Sequence, residues 1–151
     1  ERKTDMATIE LEKKDILFIN NLLRQLNPDA RPVTIKSVMK LTRDPFTKIV
    51  IAKNEKKEII GMASLHIVPT LLGLKGIIEN VVVDEKHHRK GYGKRLMNRL
   101  IEFARGKGVE RIELTSKPER HSANKLYEYL GFKQRETNVY RLELNEFKER
   151  H

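Results

Sequence analysis

Residues 77–83 read IIENVVV, and this stretch constrains the fold more than any other. Apolar side chains stand at both odd and even positions, so a strand here has both faces to cover. Such a strand belongs in the middle of a sheet with helices packed on either side. The chain then changes character. Residues 84–93, DEKHHRKGYG, are charged, mostly basic, and carry two glycines. A helix is expected over about 93–105, with Leu96, Met97, Leu100, Ile101 and Ala104 on one stripe.

The remaining segments supply the other layers. MATIEL (6–11) reads as a first strand, and Asp15 reads as the N-cap of a helix carrying Ile16, Ile19, Leu22, Leu23 and Leu26 on one side. Thr34 is placed to cap a second helix ending near Leu41. TKIVIAK (47–53) and EIIGMASLHIV (58–68) form a hairpin around NEKK, with Pro69 ending its second arm. RIELTS (111–116) is another strand. A last helix is expected from Ser122, with Ala123, Leu126, Tyr127 and Leu130 at helical spacing and Gly131 closing it. GFKQ and NVYRLEL (138–144) are expected to finish the sheet as a hairpin. The order is β-α-α-β-β-β-α-β-α-β-β, an α/β fold with a mixed sheet. The strand at 77–83, the helix at 93–105 and the strand at 111–116 make a right-handed crossover with parallel strands.

A basic turn at the start of a helix is an anion cradle. The first N–H groups of a helix have no intrahelical partners, and the helix dipole adds roughly half a positive charge there. Gly91 and Gly93 keep side chains out of a ligand's way, while Arg89, Lys90 and Lys94 add full charges at the rim. A pyrophosphate suits such a site. The Gly-x-x-x-x-Gly-Lys-Ser/Thr spacing is absent, and a dinucleotide fingerprint would need glycine where Leu96 stands. The bland alternative is a solvated basic loop before a glycine-bearing helix.

Composition narrows the class. A chain of 151 residues fits one domain, taken as 1–151 with its core at about 6–144. With no cysteine, thiolate metal sites, cysteine nucleophiles and disulfides are excluded. His87 and His88 are adjacent and point differently, and His66 and His121 stand alone, so no metal site is expected. The N-terminal ERKTDMATIE lacks a signal-peptide pattern, and no apolar run approaches ~18 residues. The reading is a cytoplasmic protein that uses no membrane. The net charge of +10 calls for an anionic partner. With aromatics at 6% and no tryptophan, a base-stacking surface is poorly supplied, which counts against nucleic acid.

Two motifs together resemble the GNAT superfamily of acetyl-CoA-dependent acetyltransferases. The family's pyrophosphate motif, Gln/Arg-x-x-Gly-x-Gly/Ala, is similar to His88-Arg89-Lys90-Gly91-Tyr92-Gly93, departing from it at His88. Its later Ala-x-x-Leu-Tyr helix followed by Gly-Phe is similar to Ala123, Leu126, Tyr127, Gly131 and Phe132. Arg120 stands where many relatives carry Asn near the coenzyme. The resemblance covers about residues 6–144. It implies a mostly antiparallel sheet whose fourth and fifth strands splay apart. Pantetheine would lie in that gap along the backbone of Val81, Val82 and Val83. The phosphates would sit on 88–94, with Arg120 and Ala123 nearby. Lys117, Arg120 and Lys125 are within the region expected for the 3′-phosphate. A homodimer is left open.

The chemistry implied is acetyl transfer to a primary amine by direct attack. A free alkyl amine with a pKa near 10.4 is protonated at neutral pH, a penalty of roughly 4–5 kcal/mol. Glu79 is the candidate base. It is the one charged residue inside IIENVVV, on a face expected to hold Ile77, Val81 and Val83, an apolar setting that would raise its pKa. Tyr127 is the candidate acid for the departing thiolate, although it falls on a stripe where a core tyrosine would also sit. Backbone N–H groups near Val81 or Val82 could polarise the thioester carbonyl. The acceptor is expected near NPDARPVT (27–34) and QRETNV (134–139); small amines, amino-sugar phosphates and protein amines all stay open. The rival readings are a non-catalytic acetyl-CoA sensor and a basic nucleic-acid-binding domain.

Overall fold

The 77–83 stretch forms the C-terminal half of the third strand in a four-stranded sheet. The computed structural model describes residues 10–147. In chain order the elements are α1 (Lys13–Leu26), α2 (Ile35–Arg43), β1 (Thr47–Lys53), β2 (Ile59–Thr70), β3 (Gly73–Val83), α3 (Tyr92–Gly106), β4 (Arg111–Glu113), α4 (His121–Tyr129) and a final turn of helix, α5 (Leu144–Phe147). The sheet order is β1-β2-β3-β4. β1, β2 and β3 are antiparallel neighbours, and β3 pairs with β4 in parallel. A parallel pair needs a crossover, and α3 supplies it.

The sheet is covered on both faces. On one, Val50, Ala63, Leu65, Ile67 and Ile78 pack with Leu96, Met97, Leu100 and Ala104 of α3 and Tyr127 of α4. On the other, Ile19 and Leu22 of α1 pack with Ile59, Met62 and Val82. The stripes expected on α1 and α3 are therefore the buried ones, and β3 contributes to both cores. No helix among the described residues is long and apolar enough to cross a membrane.

Several boundaries differ from expectation. Asp15 is not the N-cap of α1: Glu12 takes that place, and Asp15, three residues on, accepts the Glu12 N–H at 2.8 Å. Asp15 is buried, which its role at the capping turn explains. Thr34 caps α2, its Oγ1 accepting from Ser37 N at 3.1 Å. β2 runs through Pro69 to Thr70, because it outlasts β1, which begins opposite His66. Pro69 thus lies where β2 has a free side, a place proline tolerates. α4 is capped by Arg120, two residues earlier than Ser122.

The expected first strand at 6–11 falls mostly outside the described residues; Glu10 and Leu11 are not in a strand. The strand at 111–116 is real but shortens to Arg111–Glu113. The closing hairpin does not form: 134–143 carry no strand, and α5 begins at Leu144.

β3 and β4 share only three rungs, Lys75↔Arg111, Gly76↔Ile112 and Ile77↔Glu113. An ion pair of 2.7 Å between Lys75 Nζ and Glu113 Oε2 ties the two strands across them. Beyond Ile77 no described strand flanks that edge of β3, the side on which the resemblance implied a gap. Because Leu100 is fully buried between α3 and the sheet, Leu100→Ala is expected to cost about 2–5 kcal/mol. A urea titration checks this; a loss within experimental error would contradict the assigned core.

Candidate functional site

The site lies where β3 leaves its last rung with β4 and runs into the basic turn. A register slip governs its geometry. Met62 pairs with Val82 and Ser64 with Glu79, so two steps along β2 match three along β3. The extra residue on β3 makes a bulge, and Asn80 within it has a left-handed φ of 53°. A one-residue slip exchanges the faces of a strand. Before the bulge, Leu74 and Ile78 face the α3 core; after it, Val81 and Val83 do, while Val82 turns to the α1 core.

The bulge corrects the expected setting of Glu79. Strict alternation would place it beside Val81 and Val83. Instead those valines face the α3 side, and Glu79 is exposed on the other. The apolar surround expected for it is therefore not its environment in the free chain. Sequence reasoning also missed what holds this point. The Ser64 hydroxyl donates to the Glu79 carbonyl at 3.0 Å, leaving its oxygen to accept from His66 Nε2 at 3.2 Å. His66 Nδ1 lies 3.4 Å from the Thr47 hydroxyl. His66 is thus part of a polar chain across three strands and not the isolated residue expected. The visible signal was a run of polar residues interrupting apolar strands.

The turn after β3 is built from its own side chains. Gln25 of α1 donates through Nε2 to Asp84 Oδ1 at 2.7 Å, and its Oε1 accepts Glu85 N–H at 3.1 Å. His87 Nδ1 lies 2.8 Å from Asp84 Oδ2. His88 Nε2 donates to the Val83 carbonyl at 2.7 Å, closing the turn on the end of β3. That explains the departure at His88 locally: this ring nitrogen serves the turn and is not presented to a ligand. Arg89 is held at φ 63°, a strained conformation of the kind that gathers at functional sites.

The two glycines differ in their reasons. Gly91 is the N-cap of α3 with φ 81°, and a Cβ there would meet nothing within 4 Å. It gives the turn and leaves the approach open. A Cβ on Gly93 would come 3.2 Å from Leu126 Cδ2, so Gly93 lets α3 pack on α4. No side chain caps the start of α3, so its first N–H groups are not taken by a cap. Arg89, Lys90 and Lys94 surround it, all exposed. The Arg95 guanidinium braces the turn from behind, donating to the carbonyls of Lys90 at 3.3 Å and Gly91 at 3.4 Å and stacking over Tyr92. Lys94 donates to the Tyr129 hydroxyl at 3.2 Å. These groups fit a polyanion at the helix start.

Tyr127 lies in the α3–α4 core, edge-on to Phe132, and only 7% of it is exposed. Burial pushes its phenol pKa up, against a smaller pull downward from Arg120. Ala123 packs on the same core. Tyr127 and Glu79 therefore flank β3 from opposite faces. A cleft of about 860 Å³ adjoins the turn, lined by Phe18, Gln25, Ile60, Asp84, Lys90 and Tyr92 among others; neither Glu79 nor Tyr127 lines it. Among the described residues no cluster of three or more His, Asp or Glu could hold a metal.

Burial alone would raise the pKa of Asp84, but its hydrogen bonds with Gln25 and His87 and the charge of His87 outweigh that and hold it below the usual carboxylate range. A depressed pKa stabilises the fold at pH values above the unfolded carboxylate's ~3.9 and loses that contribution as pH falls through the folded value. Wild type is expected to lose stability more steeply than Asp84→Asn as urea midpoints are followed from pH 6 down to pH 3. Parallel curves would contradict this.

Comparison with known proteins agrees with this architecture. Residues 17–132 match the sequence profile of the acetyltransferase (GNAT) family. The glucosamine 6-phosphate N-acetyltransferase of Trypanosoma brucei brucei is 32% identical over 151 residues, covering 93% of this chain and 99% of that protein. Human N-acetyltransferase 8 is 33% identical over 85 residues, which are 55% of this chain and 37% of that protein. The crystal structure of a Trypanosoma brucei acetyltransferase superposes with a TM-score of 0.74 at 31% identity, covering 89% of this chain and 96% of that one. With the family profile spanning most of the chain and one relative aligned along its whole length, the chain belongs to the GNAT family and is an acetyl-transferring enzyme.

Proposed function

We propose that the protein transfers the acetyl group of acetyl-CoA to a primary amine, with Glu79 as the base and Tyr127 as the acid. The observation that carries this reading is the open edge of β3 beyond Ile77, running directly into an uncapped, cation-ringed helix start. An extended chain with a pyrophosphate at one end matches that path. Val81, Val82 and Val83 would offer backbone groups along it. Gly91, Tyr92, Gly93 and Lys94 would receive the phosphates at the start of α3, with Arg89 and Lys90 at the rim. Arg120 and Ala123 would border them from α4. His88 acts through the turn it closes.

When bound, acetyl-CoA supplies a thioester carbonyl that an amine can attack. Glu79 attracts the acceptor's ammonium, takes a proton from it and, being exposed, returns that proton to solvent. The neutral nitrogen attacks the thioester carbonyl to form the C–N bond, and the C–S bond breaks as the tetrahedral adduct collapses; Tyr127, kept protonated by burial, gives its phenolic proton to the departing sulfur and regains one as the nitrogen sheds its second proton. The whole-length likeness to a glucosamine 6-phosphate N-acetyltransferase makes an amino-sugar phosphate the first acceptor to test, and the net charge of +10 suits such an anion.

Free coenzyme A release is the measurement, run over a panel of amines that includes glucosamine 6-phosphate. Turnover with at least one amine is expected, lowered roughly 10²-fold by Tyr127→Phe with little change in acetyl-CoA affinity. Glu79→Gln should lower the rate most on the acid side of the pH–rate profile. Acetyl-CoA that raises the melting temperature without any turnover would favour a sensor. No thermal shift, together with steeply salt-dependent DNA binding, would favour the nucleic-acid reading. An unchanged pH–rate profile in Glu79→Gln would remove it as the base.

A further inference from the structure

A polar chain crosses the middle of the sheet and ends beneath the proposed base. The pairing sets Thr47 opposite His66 and His66 opposite Ile77; in the next row Ser64 stands opposite Glu79. Ala63, Leu65 and Ile67 face the α3 core, so Ser64 and His66 face the other way, on the side of Glu79. Thr47 and Ser64 are buried, at 8% and 5% exposure, while Glu79 is exposed. The chain thus leads from the interior to the base. Its direction follows from its atoms. Ser64 has one hydroxyl proton, and that proton goes to the Glu79 carbonyl at 3.0 Å. The Ser64 oxygen is then an acceptor, so Nε2 of His66, 3.2 Å away, carries a proton. Nδ1 lies 3.4 Å from the Thr47 hydroxyl and completes the chain.

The chain ends on a peptide group that strand pairing alone does not fix. A bulge interrupts the ladder there, and Asn80, which follows that carbonyl, takes a left-handed φ of 53°. A one-residue slip at this point would turn Glu79 to the opposite face. Apolar residues at 64 and 66 would cover the sheet without the desolvation that buried polar groups cost. We propose that His66 is a positioning residue for acetyl transfer. It holds the Ser64 hydroxyl on the Glu79 carbonyl, and so holds the Glu79 carboxylate where the acceptor amine meets it. This inference rests on the reading of Glu79 as the base. Both ring nitrogens of His66 face hydroxyls, so it acts through Ser64 and not on the substrate.

Three variants test it. His66→Leu removes the ring donor, Ser64→Ala removes the middle hydroxyl, and His66→Gln keeps a side-chain N–H for Ser64. His66→Leu and Ser64→Ala are expected to lower kcat for coenzyme A release roughly tenfold, with acetyl-CoA affinity unchanged. His66→Gln should recover most of that loss. On a Glu79→Gln background His66→Leu should add little, because the two act as one unit. In NMR of the free chain, His66 should carry a proton on Nε2, and the Asn80 amide should move in His66→Leu but hold in His66→Gln. An undiminished rate in His66→Leu, its full loss repeated on the Glu79→Gln background, a ring protonated on Nδ1 alone, or an Asn80 amide indifferent to His66→Leu would each overturn the proposal. An undiminished rate in Glu79→Gln would instead remove the base, and this inference with it.

Discussion

The last rung between β3 and β4 is the constraint on which the rest of the structure depends. Parallel pairing holds for three residues and is tied by Lys75 and Glu113, whose contact keeps the Glu113 carboxyl below its ordinary pKa range. Two residues beyond Ile78 the bulge at Asn80 bends β3 and strengthens its twist. β4 ends at Glu113, opposite Ile77, so the pairing ends there and the edge of β3 beyond it is open among the described residues. The helix that returns the chain to β4 begins beside that opening. In the proposed function, this backbone edge and the uncapped helix start serve as one continuous binding path.

The bulge also sorts the chemistry. It leaves Glu79 exposed on one face and turns Val81 and Val83 toward the core that holds Tyr127 on the other. The proposed base can exchange protons with water, and the proposed acid is kept dry and protonated. The Ser64 hydroxyl, donating to the carbonyl of Glu79, fixes the backbone from which the bulge departs.

The central strand, the α3 stripe, the β3–α3–β4 crossover and the basic turn were legible in the sequence because each rests on local periodicity or composition. The facing of Glu79 was not. Its alternation with Val81 and Val83 holds only on an unbroken strand, and Asn80, although a residue type that tolerates a left-handed φ, does not by itself mark a bulge. The role of His88 was hidden for a similar reason: its partner is a main-chain carbonyl at Val83, which no side-chain pattern encodes. Gln25 clamps Asp84 from 59 residues away in the chain, a contact set by packing alone. The strand pattern at 138–144 is present in the sequence, but a strand needs an edge to join, and nothing local states which edge.

The central claim is that coenzyme binding occupies the opened edge of β3 and the start of α3 together. A titration of the ¹⁵N-labelled protein with coenzyme A, followed by amide NMR, tests it most directly. The account predicts saturable shifts at Val81, Val82 and Val83 and at Gly91, Tyr92, Gly93 and Lys94, with one common dissociation constant. Shifts confined to the lysine- and arginine-rich surface elsewhere, with these seven amides unmoved, would contradict it.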